Sequence, residues 1–313
     1  GLDPPLSGRL NGSITLDHRD GDNLFFSGDV SHFTSTGDLS RVSGSGTINF
    51  SRGWLVDLAL EARPLALTVL NPWVSGVELA GSVSGPVRAR GDRSNLSATV
   101  TLESARGRLT INGSFGLDGD EPRYDAQIEA TNLSLDQWIE GAPHSRLGIY
   151  GRVNGEGLNL ATLDAAVDFE VLPSQFDRVE IYDSRVRFQV ADGLAAIDTL
   201  YLSTDVGFLS ARGHFGLAEG QMETLEFEVQ APDLSDWDRW FNEGIPGEMI
   251  VATEEALFES FEAAFGGVSD EESTQGLSGS LRARGLVVGR WEDFTVDLFL
   301  EGSINIENAG DIL

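Results

Sequence analysis

Few residues in this sequence have the types and spacing that chemistry requires. The four histidines, His18, His32, His144 and His214, are scattered, with no His-Glu-x-x-His or comparable ligand spacing. The chain has no Lys, so neither a phosphate-binding P-loop nor Schiff-base chemistry is open to it. No Gly-x-Ser-x-Gly elbow occurs. In the acidic turn Asp17-His18-Arg19-Asp20-Gly21-Asp22-Asn23, carboxylates at 17, 20 and 22 could converge on calcium. The spacing departs from the EF-hand loop and no Glu closes it, so a plain hairpin turn is the expectation. Asn-x-Ser triplets at Asn95, Asn112 and Asn132 are what chance supplies in a chain rich in both residues. These absences predict a protein that is not an enzyme and that holds no metal and no cofactor.

What the chain offers instead is alternation. In Arg185-Val186-Arg187-Phe188-Gln189-Val190, apolar residues stand at every second position with charge or amide between them. Strand side chains alternate between faces, so one face is oily and the other wetted. Ala191-Asp192-Gly193 then turns the chain, as Asp-Gly pairs do in hairpins. The stretch 179–217 predicts four short strands. The same division recurs in Val167, Phe169 and Val171 against Asp168 and Glu170, in Leu225, Phe227 and Val229 against Glu226 and Glu228, and in Val296, Leu298 and Leu300 against Asp297 and Glu301. Candidate residues for the oily face are Val167, Phe169, Val186, Phe188, Val190, Leu200, Leu202, Phe215, Phe227 and Leu298.

Composition narrows the partners. The formal net charge is −29 and all 21 basic residues are Arg. Such a chain is repelled by nucleic acid and by anionic membrane surfaces. A solvated acidic surface with a GC-rich coding bias explains this, and a saline habitat is the sharper alternative. Hydrophobic content is 41%, enough for a core, while no run of about 18 apolar residues suggests a membrane helix. Without Cys, no disulfide staples the fold, which suits the periplasm as well as the cytoplasm. The first residues carry no basic, apolar targeting signal, and the opening reads as a segment of something longer.

Repeats organise the chain. Gly-x-apolar strands recur at Gly46-Thr47-Ile48, Gly113-Ser114-Phe115 and Gly213-His214-Phe215. Each unit ends on Ala-x-x-Leu followed by Trp73, Trp138 or the pair Trp237 and Trp240. New units open at Leu6, Leu79, Leu147 and Leu277, a period of about seventy residues lengthened once by insertions. The expected divisions are β repeats at 1–75 and 76–144, an extended repeat at 145–244, a helical insertion and polar loop at 245–275, and the start of a fourth repeat at 276–313. Short helical turns are predicted at 133–140 and 234–242, capped by Ser134 and Ser235, with Trp138 and Trp240 covering the end of the sheet. Residues 253–265 predict a longer helix with Leu257, Phe258, Phe261, Ala264 and Phe265 on one face, packed on the sheet or serving as a groove plug.

The fold class expected is therefore all-β, with roughly 18–22 strands of ~5–6 residues. The apolar face must meet a second sheet, close as a barrel, or curl around something apolar. The period favours a sheet that grows along an axis, as solenoids do.

The order of motifs carries a resemblance. Leu79-Ala80-Gly81-Ser82-Val83-Ser84-Gly85, then Leu109-Thr110-Ile111-Asn112-Gly113-Ser114-Phe115-Gly116-Leu117, Tyr124-Asp125-Ala126 and Asn132-Leu133-Ser134-Leu135 make one unit. Asp198-Thr199-Leu200-Tyr201-Leu202-Ser203-Thr204-Asp205-Val206-Gly207 repeats the style. Together they resemble the periplasmic repeat region of the TamB and AsmA-like proteins, over most of the chain outside 245–275. The resemblance implies a U-shaped, taco-like β-groove in the periplasm of a Gram-negative bacterium, hung from an inner-membrane anchor outside this chain. It also implies phospholipid or another apolar chain as cargo, and an outer-membrane assembly barrel as a partner. The alternatives are a structural or adhesive solenoid whose core its own side chains fill, or a scaffold for outer-membrane protein assembly.

Overall fold

The computed structural model describes residues 8–34, 37–51, 54–73, 77–119, 121–157, 162–217, 223–235, 276–290 and 293–307. Alternating apolar and polar side chains make most of these residues strands. The first are β1 (Arg9–Asp20), β2 (Asn23–Phe33), β3 (Leu39–Asn49), β4 (Leu55–Ala66), β5 (Ser82–Gly91) and β6 (Leu96–Ser104). β7 (Gly107–Gly116), β8 (Arg123–Leu133), β9 (Ser145–Glu156) and β10 (Asp164–Phe176) follow. β11 (Val179–Ile181), β12 (Ser184–Ala191), β13 (Leu194–Ser203) and β14 (Phe208–Gly216) lead to β15 (Glu223–Ala231), β16 (Gly276–Arg290) and β17 (Asp293–Glu307).

All seventeen belong to one sheet. Each strand lies antiparallel to the one before it in a plain meander, except that β11 and β12 both pair with β10 and share one place. Among the described residues β1 pairs only with β2 and β17 only with β16, so the sheet is open and not closed into a barrel. The hairpin at Asp192-Gly193 forms as its residues dictate, with positive φ at both (52° and 71°). The acidic segment after Asp17 is also a hairpin turn, with Asp20 opposite Asn23. Among the described residues no group of His, Asp or Glu is placed to hold a metal ion.

Among the described residues the strands are fewer and longer than the sequence suggests. Apart from β11 they run from 8 to 15 residues. Glycine is the reason, because many glycines sit inside strands and do not end them. Gly46, Gly151 and Gly285 lie mid-strand on the apolar face, each beside a phenylalanine ring of the neighbouring strand. A Cβ on Gly46 would meet Phe26 Cε1 at 2.8 Å, and one on Gly285 would meet Phe227 at the same distance. One on Gly151 would overlap the Phe169 ring outright. The missing side chain lets each ring lie across the next strand.

Because the sheet is a meander, its turns fall alternately on two long rims. One rim carries short connections, such as those after Asp20, Ala191 and Arg290. The other carries the 3₁₀ segments Leu67–Trp73 and Leu135–Gln137, the β10–β11 turn, and the long connection from β15 to β16. The expected 253–265 helix, Trp237 and Trp240 lie outside the described residues. Ser134 does not cap its turn as expected. Its hydroxyl makes no capping bond and donates instead to the Asp136 carboxylate.

The polar face is held by cross-strand ion pairs. Arg41 reaches Asp29 at 2.6 Å, Arg212 reaches Glu226 at 2.9 Å, and Arg152 chelates Asp125. Asp168 takes Arg187 at 2.6 Å and Arg185 at 3.1 Å. Arg187, by hydrogen bonding, holds the Asp168 carboxyl below the usual range; burial opposes this, and Arg185 adds to it. A lowered native pKa means that the unfolded chain binds the extra proton first, so the contribution is present above the ordinary carboxylate range and lost as pH falls through the native value. Half-exposed pairs contribute little each. In urea unfolding, wild type should therefore exceed Asp168→Asn in stability at pH 7, and the difference should vanish near pH 2. A difference independent of pH would contradict this assignment.

Candidate functional site

Register carries one apolar row through every place in the sheet. Leu16 faces Phe26, then Gly46, Leu58, Ala89, Ala98, Gly113 and Ala126 in successive strands. Val153, Val167, Phe188, Ile197, Gly213, Leu225, Val287 and Val296 complete the row. A second row two residues away runs from Ile14 to Leu298, and includes Phe169, Val186, Leu200 and Phe227. Directly paired residues share a face, so both rows lie on the same side. Along the paired register of β1 to β17 this side carries no Arg or Asp, and its one Glu is Glu223 at the first residue of β15.

All ten residues singled out for the oily face fall here. Val167 and Phe188 are in the first row, and Phe169, Val186, Leu200, Phe227 and Leu298 in the second. Val190 pairs through Ala195 to Phe215, and Leu202 pairs with Leu209. Val190 is buried, Leu298 on the edge strand is 44% exposed, and the other eight are half-buried. Near the rim with long connections, Phe176, Val179, Ile181, Leu202, Leu209 and Val229 frame an apolar recess.

No second layer covers this face among the described residues. The one cluster of buried hydrophobic side chains, Leu67, Val83 and Trp138, sits at the rim with long connections. Elsewhere the deeply buried positions on this face are small, such as Ala126, Ala165, Ala195, Ala211 and Ala283, shielded by taller neighbours. Curvature adds to the shielding. Phe215 of β14 and Phe294 of β17 come within 6.3 Å, although two strands lie between theirs. In a flat sheet three strand spacings amount to about 14 Å. Here β15 starts late, β14 touches β16 directly at Gly216 and Arg290, and the sheet bends toward its apolar face. At Gly213 on this bend φ is 123°, a value that glycine alone adopts readily.

Four serines hold the rim with long connections, and sequence reasoning did not find them. Ser40, Ser145, Ser174 and Ser184 are all buried. The Ser40 hydroxyl accepts from Ala66 N–H at 3.0 Å, and Ser174 from Gly148 N–H at 2.9 Å. Ser145 accepts from Leu135 N–H at 2.7 Å and donates to the Leu133 carbonyl, while Ser184 accepts from Ser203 N–H at 3.0 Å. Three of these partners lie beside ladder irregularities, in β4 after Ala62, β8 after Ala130 and β10 after Leu172. The hydroxyls replace backbone partners there. A signal was present: Ser-Arg-(Val/Leu) recurs at Ser40, Ser145 and Ser184.

Ser134, Asp136 and His144 meet on the same rim, yet they do not form a catalytic triad. His144 Nδ1 is 3.5 Å from both Ser134 Oγ and Asp136 Oδ2, so one ring nitrogen faces both partners. A relay needs opposite nitrogens for base and orienter. Burial acts upward on the Asp136 carboxyl, but hydrogen bonds from Ser134, Gln137 and His144 outweigh it and hold the pKa below the usual range. On the polar face a broad depression joins Tyr201, Arg212, Glu226, Glu228, Arg284 and Phe299. Its Arg212 pairs with Glu226 and its Arg284 with Glu228, and Asp198 and Asp297 also line it.

No family model matches the chain, and no curated protein or solved structure matches it.

Ser145→Ala removes the side-chain partner of two part-buried backbone groups and should cost about 1–3 kcal/mol in urea unfolding. Gly151→Val, which drives a side chain into the Phe169 ring, should cost at least as much. A neutral Ser145→Ala would show that its hydroxyl does not bear on the rim.

Proposed function

We propose that this chain is a segment of a lipid conduit, offering its uncovered face to the acyl chains of a phospholipid. The observation that supports it is the apolar face that crosses every described strand, with no Arg or Asp and a single Glu in its paired register and no second layer among the described residues. With β11 and β12 sharing one place, the sheet is sixteen places wide. At about 4.8 Å per strand, the path is on the order of 70 Å along the sheet. A two-chain lipid with about 30 methylenes would lose ~20 kcal/mol or more on entering water, at ~0.8 kcal/mol per methylene. A continuous apolar surface removes that barrier with no catalytic residue, and the opposite face of Arg, Asp and Glu keeps the sheet in water.

The resemblance to TamB and AsmA-like proteins supplies the rest of the proposal. On that reading the setting is the periplasm, the anchor is in the inner membrane, and the service is outer-membrane biogenesis with an assembly barrel as partner. A solenoid with a self-filled core is the competing reading, and the single layer of described residues weighs against it.

Purified protein should carry phospholipid detectable by mass spectrometry after solvent extraction. Phe188→Asp or Phe215→Asp should reduce the bound lipid several-fold, while Arg187→Gln on the opposite face should not. Lipid-free wild-type protein, or equal lipid in all variants, would contradict the proposal.

A further inference from the structure

We propose that the rim with long connections holds a headgroup site, a pocket between the β6–β7 turn and the β8–β9 connection that takes the phosphate of an anionic lipid. The inference rests on the apolar-face reading for the position of the tails. Arg106, Arg108, His144 and Arg146 converge on this pocket in a chain of net charge −29. Among the described residues, most arginines elsewhere on the polar face are matched to carboxylates, as in Arg187 with Asp168 and Arg212 with Glu226, with Arg88 of β5 an exception.

Here the balance differs. Arg106 Nη1 lies 3.5 Å from His144 Nδ1, and neither Arg106 nor Arg146 pairs with a carboxylate among the described residues. Two nearby acids are already engaged, and a third, Asp177, adjoins through its backbone N–H, which donates to the His144 carbonyl at 2.7 Å. Glu103 is held by Arg108 at 2.6 Å, and Asp136 by Ser134 and His144. Guanidinium groups are the side chains best shaped for phosphate oxygens, and two without carboxylates are short of an anion. Gly107 lets the turn approach β8, since a Cβ there would lie 2.5 Å from the Asn132 carbonyl oxygen.

Position gives the anion its source. A lipid whose chains lie on the apolar face must leave its head at a rim, where the sheet ends and water begins. A phosphate at this rim sits among Arg106, Arg146 and the His144 ring while the chains remain on the oily side.

Calorimetry with three probes tests this: a short-chain phosphatidylglycerol, the matching short-chain diacylglycerol, and inorganic phosphate. Wild type should bind the phosphatidylglycerol about tenfold tighter than the diacylglycerol. Arg106→Gln with Arg146→Gln should erase that preference and leave diacylglycerol binding intact, whereas Arg88→Gln with Arg90→Gln, an equal loss of charge elsewhere on the polar face, should preserve it. A preference that survives the first pair, or is absent in wild type, overturns the site. Binding of inorganic phosphate without phosphatidylglycerol overturns the headgroup assignment in favour of a free anion. A wild type that binds neither lipid sinks the apolar-face reading and this site with it.

Discussion

A β-strand cannot hide both of its faces in a single layer, and the described residues of this protein form one layer. Alternation sends every second side chain to the same side, and the meander keeps that side constant from β1 to β17. Each further feature follows from the unsatisfied apolar surface that results. Glycines such as Gly46, Gly151 and Gly285 let phenylalanine rings lie over neighbouring strands, which shields part of the surface without a second sheet. Bending toward the apolar side, marked by the approach of Phe215 to Phe294, shields more.

The polar side answers the opposite problem. A net charge of −29 opposes a compact state, and cross-strand arginines such as Arg41, Arg152 and Arg187 offset the repulsion where it is closest. No pair among the described residues is buried, so each adds little alone, and together they distinguish the two faces by register. Slipping one strand by one residue would put Asp168 or Glu228 on the oily side. The buried serines at the rim act on a different element of the same sheet, supplying hydrogen bonds where bulges break the ladder.

Face assignment was legible in the sequence because it depends on period two alone. Val167, Phe169, Val186 and Phe188 could be placed from spacing, and register then brought them beside Val153 and Leu200 in other strands. Strand length was not legible, because a glycine such as Gly151 reads as punctuation until the Phe169 ring beside it is seen. The rim serines were hidden for another reason. Serine is common on wetted faces, and only the recurrence of Ser-Arg before a valine or leucine distinguishes Ser40, Ser145 and Ser184. The meeting of Arg106 with His144 was equally hidden, since nothing local links residues so far apart in the chain.

Whether acyl chains contact this face is the central matter, and the absence of cysteine makes it directly measurable. A bimane fluorophore on a single cysteine at Phe188 reports the apolar face, and one at Arg187 the opposite face one residue away. Phospholipid brominated on its acyl chains quenches a fluorophore only on close contact. Strong quenching at position 188 with little at 187 is the predicted result. Equal quenching at both positions, or none at 188, would contradict the account.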